Sequence, residues 1–324
     1  MGLLVDGKWK TDWYATGDSG EFERPETVFR GRLTAEGGDH PAEPDRYHLY
    51  VSYACPWAHR TLIIRALKGL DELVSVSVVH PYMGDDGWTF ADDFPGATGD
   101  TLGDAKYLRD VYRAACKDYT GRVTVPVLWD KKAGTIVNNE SAEIIRMLDH
   151  AFDDLGARPI TFYPADLRAE IDAVNADVYA HVNNGVYRCG FATTQRAYEA
   201  AYDALFDALD RLDTRLADRR YLCGERLTEA DWRLFTTLVR FDAVYHGHFK
   251  CNRRRIVDYP NLAGYLRELY QVPGVAATVR LDHIKTHYYT SHETINPTRI
   301  VPKGPDLDLS APHHRDHLPA ASLL

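Results

Sequence analysis

The stretch YVSYACPWAHRTLIIRALKGL, residues 50–70, decides the fold. Upstream, RYHLYVSYA reads as a strand, with Tyr47, Leu49 and Val51 alternating against polar positions. Downstream, HRTLIIRALKGL reads as a helix: Leu62, Ile63, Ala66, Leu67 and Leu70 recur at helical spacing, and Gly69 sits near the end. LVSVSVVHPY, rich in β-branched residues, predicts the next strand. A β-α-β order implies a parallel pair with a right-handed crossover. Cys55 and Pro56 open a C-x-x-A stretch at the strand–helix junction, where a dithiol redox protein carries C-x-x-C.

Outward from this stretch, a Gly/Asp-rich excursion from about Met83 to Gly103 carries Trp88. A helix is expected over 108–116 and a strand over 122–130, with Pro126 inside it. KKAGT predicts a turn, IVNN a returning strand, and ESAEIIRMLDHAF a helix starting at Glu140. That order predicts an α/β thioredoxin-like domain of mixed sheet and flanking helices. After Pro164 the pattern is helical throughout, with Leu205, Leu209, Leu212 and Leu216 in one stripe. In TEAD, Thr228 and Asp231 stand at capping-box spacing. The expected domains are an irregular extension at 1–45, a thioredoxin-like thiol-binding domain at 46–155, an all-α substrate domain at 165–290 and an irregular tail at 291–324.

Composition narrows the function. With a net charge of −9 the chain lacks the basic balance of a nucleic-acid binder. No run of 18 apolar residues exists, so no segment is expected to span a membrane, and the N-terminus lacks the apolar core of a secretory signal. The five cysteines (Cys55, Cys116, Cys189, Cys223 and Cys251) are widely spaced and form no C-x-x-C pair. Reduced thiols and a cytoplasmic setting are expected. His80, His246, His248 and the HHRDH run at 313–317 are too dispersed to predict a metal, and none is assigned.

Cys55 stands close to a helix N-terminus, where unpaired N–H groups and the macrodipole favour a thiolate. The bland alternative is an inert, packed cysteine. Ala58 replaces the second sulfur, so a disulfide across the turn is impossible. A reactive Cys55 must form mixed disulfides that an external thiol resolves. Pro126 admits two readings: a cis bond that turns the backbone of Val125 outward to pair with an extended peptide, or an edge-strand proline with no ligand. Ser141 and adjacent N–H groups suit a carboxylate, although simple capping is common at such a place. Together these features describe a cradle for a peptide thiol: sulfur at Cys55, backbone at Val125, carboxylate at Ser141.

Strand–Cys-Pro–helix, VP, NES and a helical second half resemble the glutathione transferase superfamily. SYACPWAHRTLI, GWTF, RVTVPVLWDKKAGTIVNNESAEIIRML and HYYTSHETINPTRIVPKGP resemble its Xi class, the glutathionyl-hydroquinone reductases, across about residues 45–305. That class also has a long N-terminal extension. The resemblance implies that Cys55 is the nucleophile. It implies that Trp88, Arg122, Val123, Thr124, Val125, Glu140 and Ser141 form the glutathione site. Tyr187 in NGVYRCGF then corresponds to a proton donor or acceptor beside the acceptor ring. Tyr245 in FDAVYHGHF and Tyr288 in HYYTSH correspond to tyrosines that help lower the pKa of the sulfur. Tyr53 stands where leucine is expected before ACPWA, a minor departure.

The activity so implied is glutathione-dependent reduction of glutathionyl-hydroquinones through a Cys55 mixed disulfide, releasing oxidised glutathione. Its partners are a small thiol, which is glutathione by resemblance although the residues leave mycothiol open, and aromatic quinone or hydroquinone adducts. No tightly bound cofactor is implied, and a homodimer is. Two alternatives stand beside it: an omega-like deglutathionylase or dehydroascorbate reductase, and a non-enzymatic binding module of the same fold.

Overall fold

The computed structural model describes residues 2–12 and 19–321. Residues 1, 13–18 and 322–324, which belong to the expected extension and tail, lie outside the described residues. The chain divides into two units. The first takes in 2–12, 25–159 and 278–301, and the second 19–24, 160–277 and 302–321.

The first unit begins with order where irregularity was expected. Strands β1 (Gly2–Val5) and β2 (Lys8–Thr11) form an antiparallel hairpin, and β1 also pairs with β7 (Gly121–Arg122). The turn is Asp6-Gly7, both at positive φ, the backbone a two-residue hairpin turn demands. Short strands β3 (Leu33–Thr34) and β4 (His40–Pro41) pair in parallel. The main sheet runs β6-β5-β8-β9. Here β5 (Tyr47–Val51) is parallel to β6 (Val74–Val78) and antiparallel to β8 (Val127–Asp130), and β8 is antiparallel to β9 (Thr135–Asn138).

All five residues of β5 are buried, not only its alternating apolar ones. The strand is internal to the sheet, and the polar His48 is satisfied by Ser75 Oγ at 2.8 Å and Ser77 Oγ at 2.9 Å. The single strand expected over 122–130 is two, β7 and β8, separated by a loop with a cis Val125–Pro126 bond.

Helix α1 (Pro56–Lys68) packs on α3 (Ser141–His150), and α2 (Leu108–Ala115) follows the excursion. Gly69 ends α1 at φ 69°, and its N–H returns to the carbonyls of Ala66 and Arg65. The unit closes with α9 (Leu281–Ser291), a helix the domain boundaries had placed with the helical half. Its bonds explain the grouping. Ser291 Oγ accepts from Met83 N at 3.0 Å, and Arg280 Nη2 donates to Pro95 O at 2.6 Å.

The second unit is helical: α4 (Arg168–Val178), α5 (Gly185–Gly190), α6 (Gln195–Arg215), α7 (Glu229–Arg240) and α8 (Leu262–Gln271). The leucine stripe of α6 and the following Leu216 are buried. Helix α7 is its centre, with every residue buried. The Thr228 capping box forms as spaced: Asp231 Oδ2 accepts from Thr228 N at 2.8 Å. Single π-helical turns, Tyr179–Asn183 and Phe241–Tyr245, follow α4 and α7. Residues 302–321 carry no helix or strand, but they are not a solvated tail. Arg315 is buried, with Nε 3.1 Å from Glu268 Oε2 and Nη1 donating to Leu216 O. No helix among the described residues is long and apolar enough to cross a membrane.

Candidate active site

Cys55 is the N-cap residue of α1, extended at φ −78° and ψ 121°, with Pro56 at the first helical position. Proline is tolerated there because that N–H would have no helical partner. The turn before it is fixed by Cys55 N donating to Ser52 O at 3.1 Å and Ala54 N to Ser52 Oγ at 3.2 Å. The half-buried thiol therefore lies at the positive end of α1. Its Sγ–H donates to Val125 O at 3.5 Å. A bond to the neutral thiol opposes ionisation, whereas the helix end favours it.

The segment 122–125 is held against the start of α3 by a buried residue, Tyr112. Its hydroxyl donates to Thr124 O at 2.8 Å and accepts from Thr124 N at 3.3 Å and Asn139 Nδ2 at 3.1 Å. Burial pushes this phenol up, so it stays a neutral bridge. Val123 and Val125 are buried. Arg122 Nη1 donates to Asp12 O at 2.8 Å, tying the segment to the N-terminal hairpin.

Glu140 is the N-cap of α3, and its Oε1 accepts from Ala142 N at 3.0 Å. Ser141, the first residue of the helix, is buried and accepts from Arg60 Nη1 at 3.4 Å. Arg60 is itself buried, with its guanidinium 4.5 Å from the Trp57 ring centroid. Sequence reasoning passed over this cation. The available signal was a charged residue on the buried helix that starts at Cys55. A buried guanidinium beside a helix N-terminus strengthens the field that would receive a carboxylate.

Trp88 is buried and stacks on His287 of α9 at 4.7 Å and 23°. His287 Nδ1 lies 2.9 Å from Pro81 O, a contact that fixes it as the N–H. Tyr288, also buried, stands edge-on to His287 at 5.2 Å. Tyr53, at the departure from the family pattern, meets the same helix, edge-on to His283 at 5.2 Å.

Tyr187 and Tyr245 belong to the second unit, which brings them together. Their rings are 6.0 Å apart at 58°. Phe249 stacks on Tyr245 at 5.4 Å and 18° and meets Tyr187 at 5.5 Å. Tyr187 follows the π turn Tyr179–Asn183, and Tyr245 ends the other. Such turns shift the side-chain register locally and recur at functional sites. Neither is marked in the sequence. The predicted residues thus form two groups: Cys55, Trp88, Arg122–Val125, Glu140, Ser141 and Tyr288 in the first unit, and Tyr187 with Tyr245 in the second. Among the described residues, no three His, Cys, Asp or Glu side chains converge as a metal site.

A thiol at a helix N-terminus beside a backbone carbonyl suits thiol–disulfide exchange on a small peptide. Known proteins agree. The family model for the glutathione S-transferase N-terminal domain matches residues 54–151, and that for the C-terminal domain 195–268. The chain is 57% identical to glutathionyl-hydroquinone reductase YqjG of Escherichia coli K12, over 98% of this chain and 99% of that protein. The glutathione-bound structure of YqjG superposes with a TM-score of 0.90 at 56% identity, covering 97% of this chain and 99% of that one. A Xi-class glutathione transferase from Natrialba magadii gives 0.94 at 52% identity, covering 99% and 98%. The chain therefore belongs to the glutathione transferase family, in its Xi class of glutathionyl-hydroquinone reductases.

Proposed function

We propose that the chain reduces glutathionyl-hydroquinones to hydroquinones, using glutathione as co-substrate and no resident cofactor. The observation that carries this reading is Cys55 at the α1 N-cap, 3.5 Å from Val125 O, with Ala58 where a resolving cysteine would stand. The Cys55 thiolate attacks the sulfur of the thioether. The carbon–sulfur bond breaks, and the ring carbon keeps the electron pair and takes a proton from Tyr187. Cys55 is left as a mixed disulfide with glutathione. A second glutathione thiolate attacks that disulfide, giving oxidised glutathione and the free Cys55 thiolate. One thioether and one thiol thus become one hydroquinone and one disulfide. A thiol at position 58 would intercept the intermediate.

In this reading Val125 pairs with the peptide backbone of glutathione and Ser141 receives a carboxylate. Trp88, Arg122, Val123, Thr124 and Glu140 complete the binding surface. Tyr245 and Tyr288 donate toward the sulfur and favour its anion. A cytoplasmic homodimer fits the family resemblance, and sedimentation of the purified protein tests the dimer.

The decisive assay supplies glutathionyl-menadiol and glutathione to purified protein. We expect menadiol and oxidised glutathione in equal amounts, a glutathione adduct on Cys55 by mass, and no turnover by Cys55→Ser. No turnover with the native chain, or turnover retained by Cys55→Ser, overturns the mechanism. Faster turnover of a glutathionylated peptide than of the thioether moves the reading to a deglutathionylase.

A further inference from the structure

We propose that Arg24 is a positioning residue for Tyr187, holding the ring and stabilising the charge that appears on it when it gives up a proton. The proposal rests on the reading of Tyr187 as the proton donor. The Arg24 guanidinium carbon lies 5.0 Å from the Tyr187 ring centroid and 5.4 Å from that of Phe22. Phe22 stacks on Tyr187 at 6.3 Å and 29° and meets Phe191 edge-on at 5.3 Å. Tyr187 is thus bounded by its own helical unit on one side and by the segment 19–24 on another.

That segment is built in, not draped. Gly20 O accepts from Thr193 N at 3.1 Å, and Ser19 O from Thr194 Oγ1 at 2.9 Å. Gly20 has φ +76°, and a Cβ there would lie 2.6 Å from the Thr194 side chain, so the approach requires glycine. Arg24 Nε donates to Asn184 Oδ1 at 3.0 Å, and Asn184 O accepts from Arg188 N at 2.8 Å. Asn184 joins the π turn to α5. The guanidinium is therefore anchored to the helix that carries Tyr187, one turn away. Arginine holds no proton that it can give up at neutral pH, so Arg24 is not itself an acid. Its cation attracts the neutral ring weakly and the phenolate strongly. Its effect is greatest after proton transfer, the condition for acting on the rate and not only on binding.

The test compares Arg24→Met, Arg24→Lys, Tyr187→Phe and the double variant Arg24→Met/Tyr187→Phe, with glutathionyl-menadiol as substrate. Tyr187→Phe is expected to lose about a hundredfold in kcat, the scale of a general acid. Arg24→Met should lose about tenfold, with the KM for glutathione unchanged and the alkaline limb of the pH–rate profile moved up by about one unit. Arg24→Lys should recover part of the loss and, as the gentler change, keeps the test open if Arg24→Met unfolds. In the Tyr187→Phe background, Arg24→Met should cost nothing further, because its effect passes through that hydroxyl. An impaired Tyr187→Phe with a silent Arg24→Met overturns the role of Arg24 alone. A fully active Tyr187→Phe overturns the reading of Tyr187, and the proposal with it. Additive losses in the double variant overturn the coupling.

Discussion

Gly190→Ala perturbs the tyrosine cluster without touching either tyrosine. A Cβ at position 190 would lie 2.2 Å from Phe249 Cγ, 2.3 Å from Cδ1 and 2.8 Å from Cδ2. Carbon atoms pack at about 3.5 Å, so the ring must retreat by about 1 Å. Phe249 is fully buried, and its near end, not a flexible tip, meets the new methyl. Its face lies on Tyr245, and Phe191 and Tyr187 flank it at 5.1 and 5.5 Å, so the displacement passes to those rings. Overpacking of this kind costs about 1–3 kcal/mol. The helical preference for alanine returns at most about 1 kcal/mol. The net cost, up to about 2 kcal/mol, should lower Tm by up to about 4 °C. Misplacing a catalytic group by about 1 Å costs up to about a hundredfold in rate, so single-turnover release of hydroquinone should drop far more than glutathione binding. A Gly190→Ala protein with native Tm and native turnover would refute both the packing argument and the role of the cluster.

Three further outcomes follow from buried groups. Asp231 accepts from Leu222 N, Thr228 N, Thr228 Oγ1 and Tyr265 Oη at 2.7 to 3.0 Å; Asp231→Ala should cost more than about 4 kcal/mol in urea unfolding, and a loss under 1 would contradict the accounting. Burial, helped by the Lys131 charge, lowers His48 to about 4, so the folded state stays neutral where the unfolded chain, near 6.5, takes a proton. Stability should rise with pH across that window and fall by about 3 kcal/mol as pH drops from 6.5 to 4, and the slope should flatten in His48→Gln; equal slopes would show that another group titrates. Alkylation of native protein near pH 8 should mark Cys55 and the exposed Cys116. Burial pushes Cys223 up to about 12 and Cys251 well above its usual range, so early labelling at either would contradict the packing around them.

What the sequence displayed was what local rules govern. The strand–Cys-Pro–helix junction, the Thr228 capping box and the leucines of α6 depend on residues within a turn or two, and each stands where its spacing put it. The hairpin at 2–11 was missed, since Asp6-Gly7 is a turn signal but the flanking runs are short and charged. Arg24 over Tyr187, Arg60 beside Ser141 and His287 against Trp88 were not legible. They join residues 81 to 199 positions apart, and no periodicity encodes such pairs. The π turns insert a register shift with no residue type of their own.

The first unit is written in pieces. It opens before helices α4–α8 in sequence and is finished by residues 278–301, after them. During synthesis the ribosome releases residues 1–159 long before Thr278 exists to bond His59 Nε2, Ser291 to accept from Met83 N, or His287 to lie on Trp88. Until those residues emerge, the nascent thiol-bearing half lacks the contacts that α9 makes with Met83 and Trp88. A gene cut after codon 159 is therefore expected not to yield a free-standing domain. The expected product is an unfinished one, and fragment complementation with 278–301 is the simplest way to complete it.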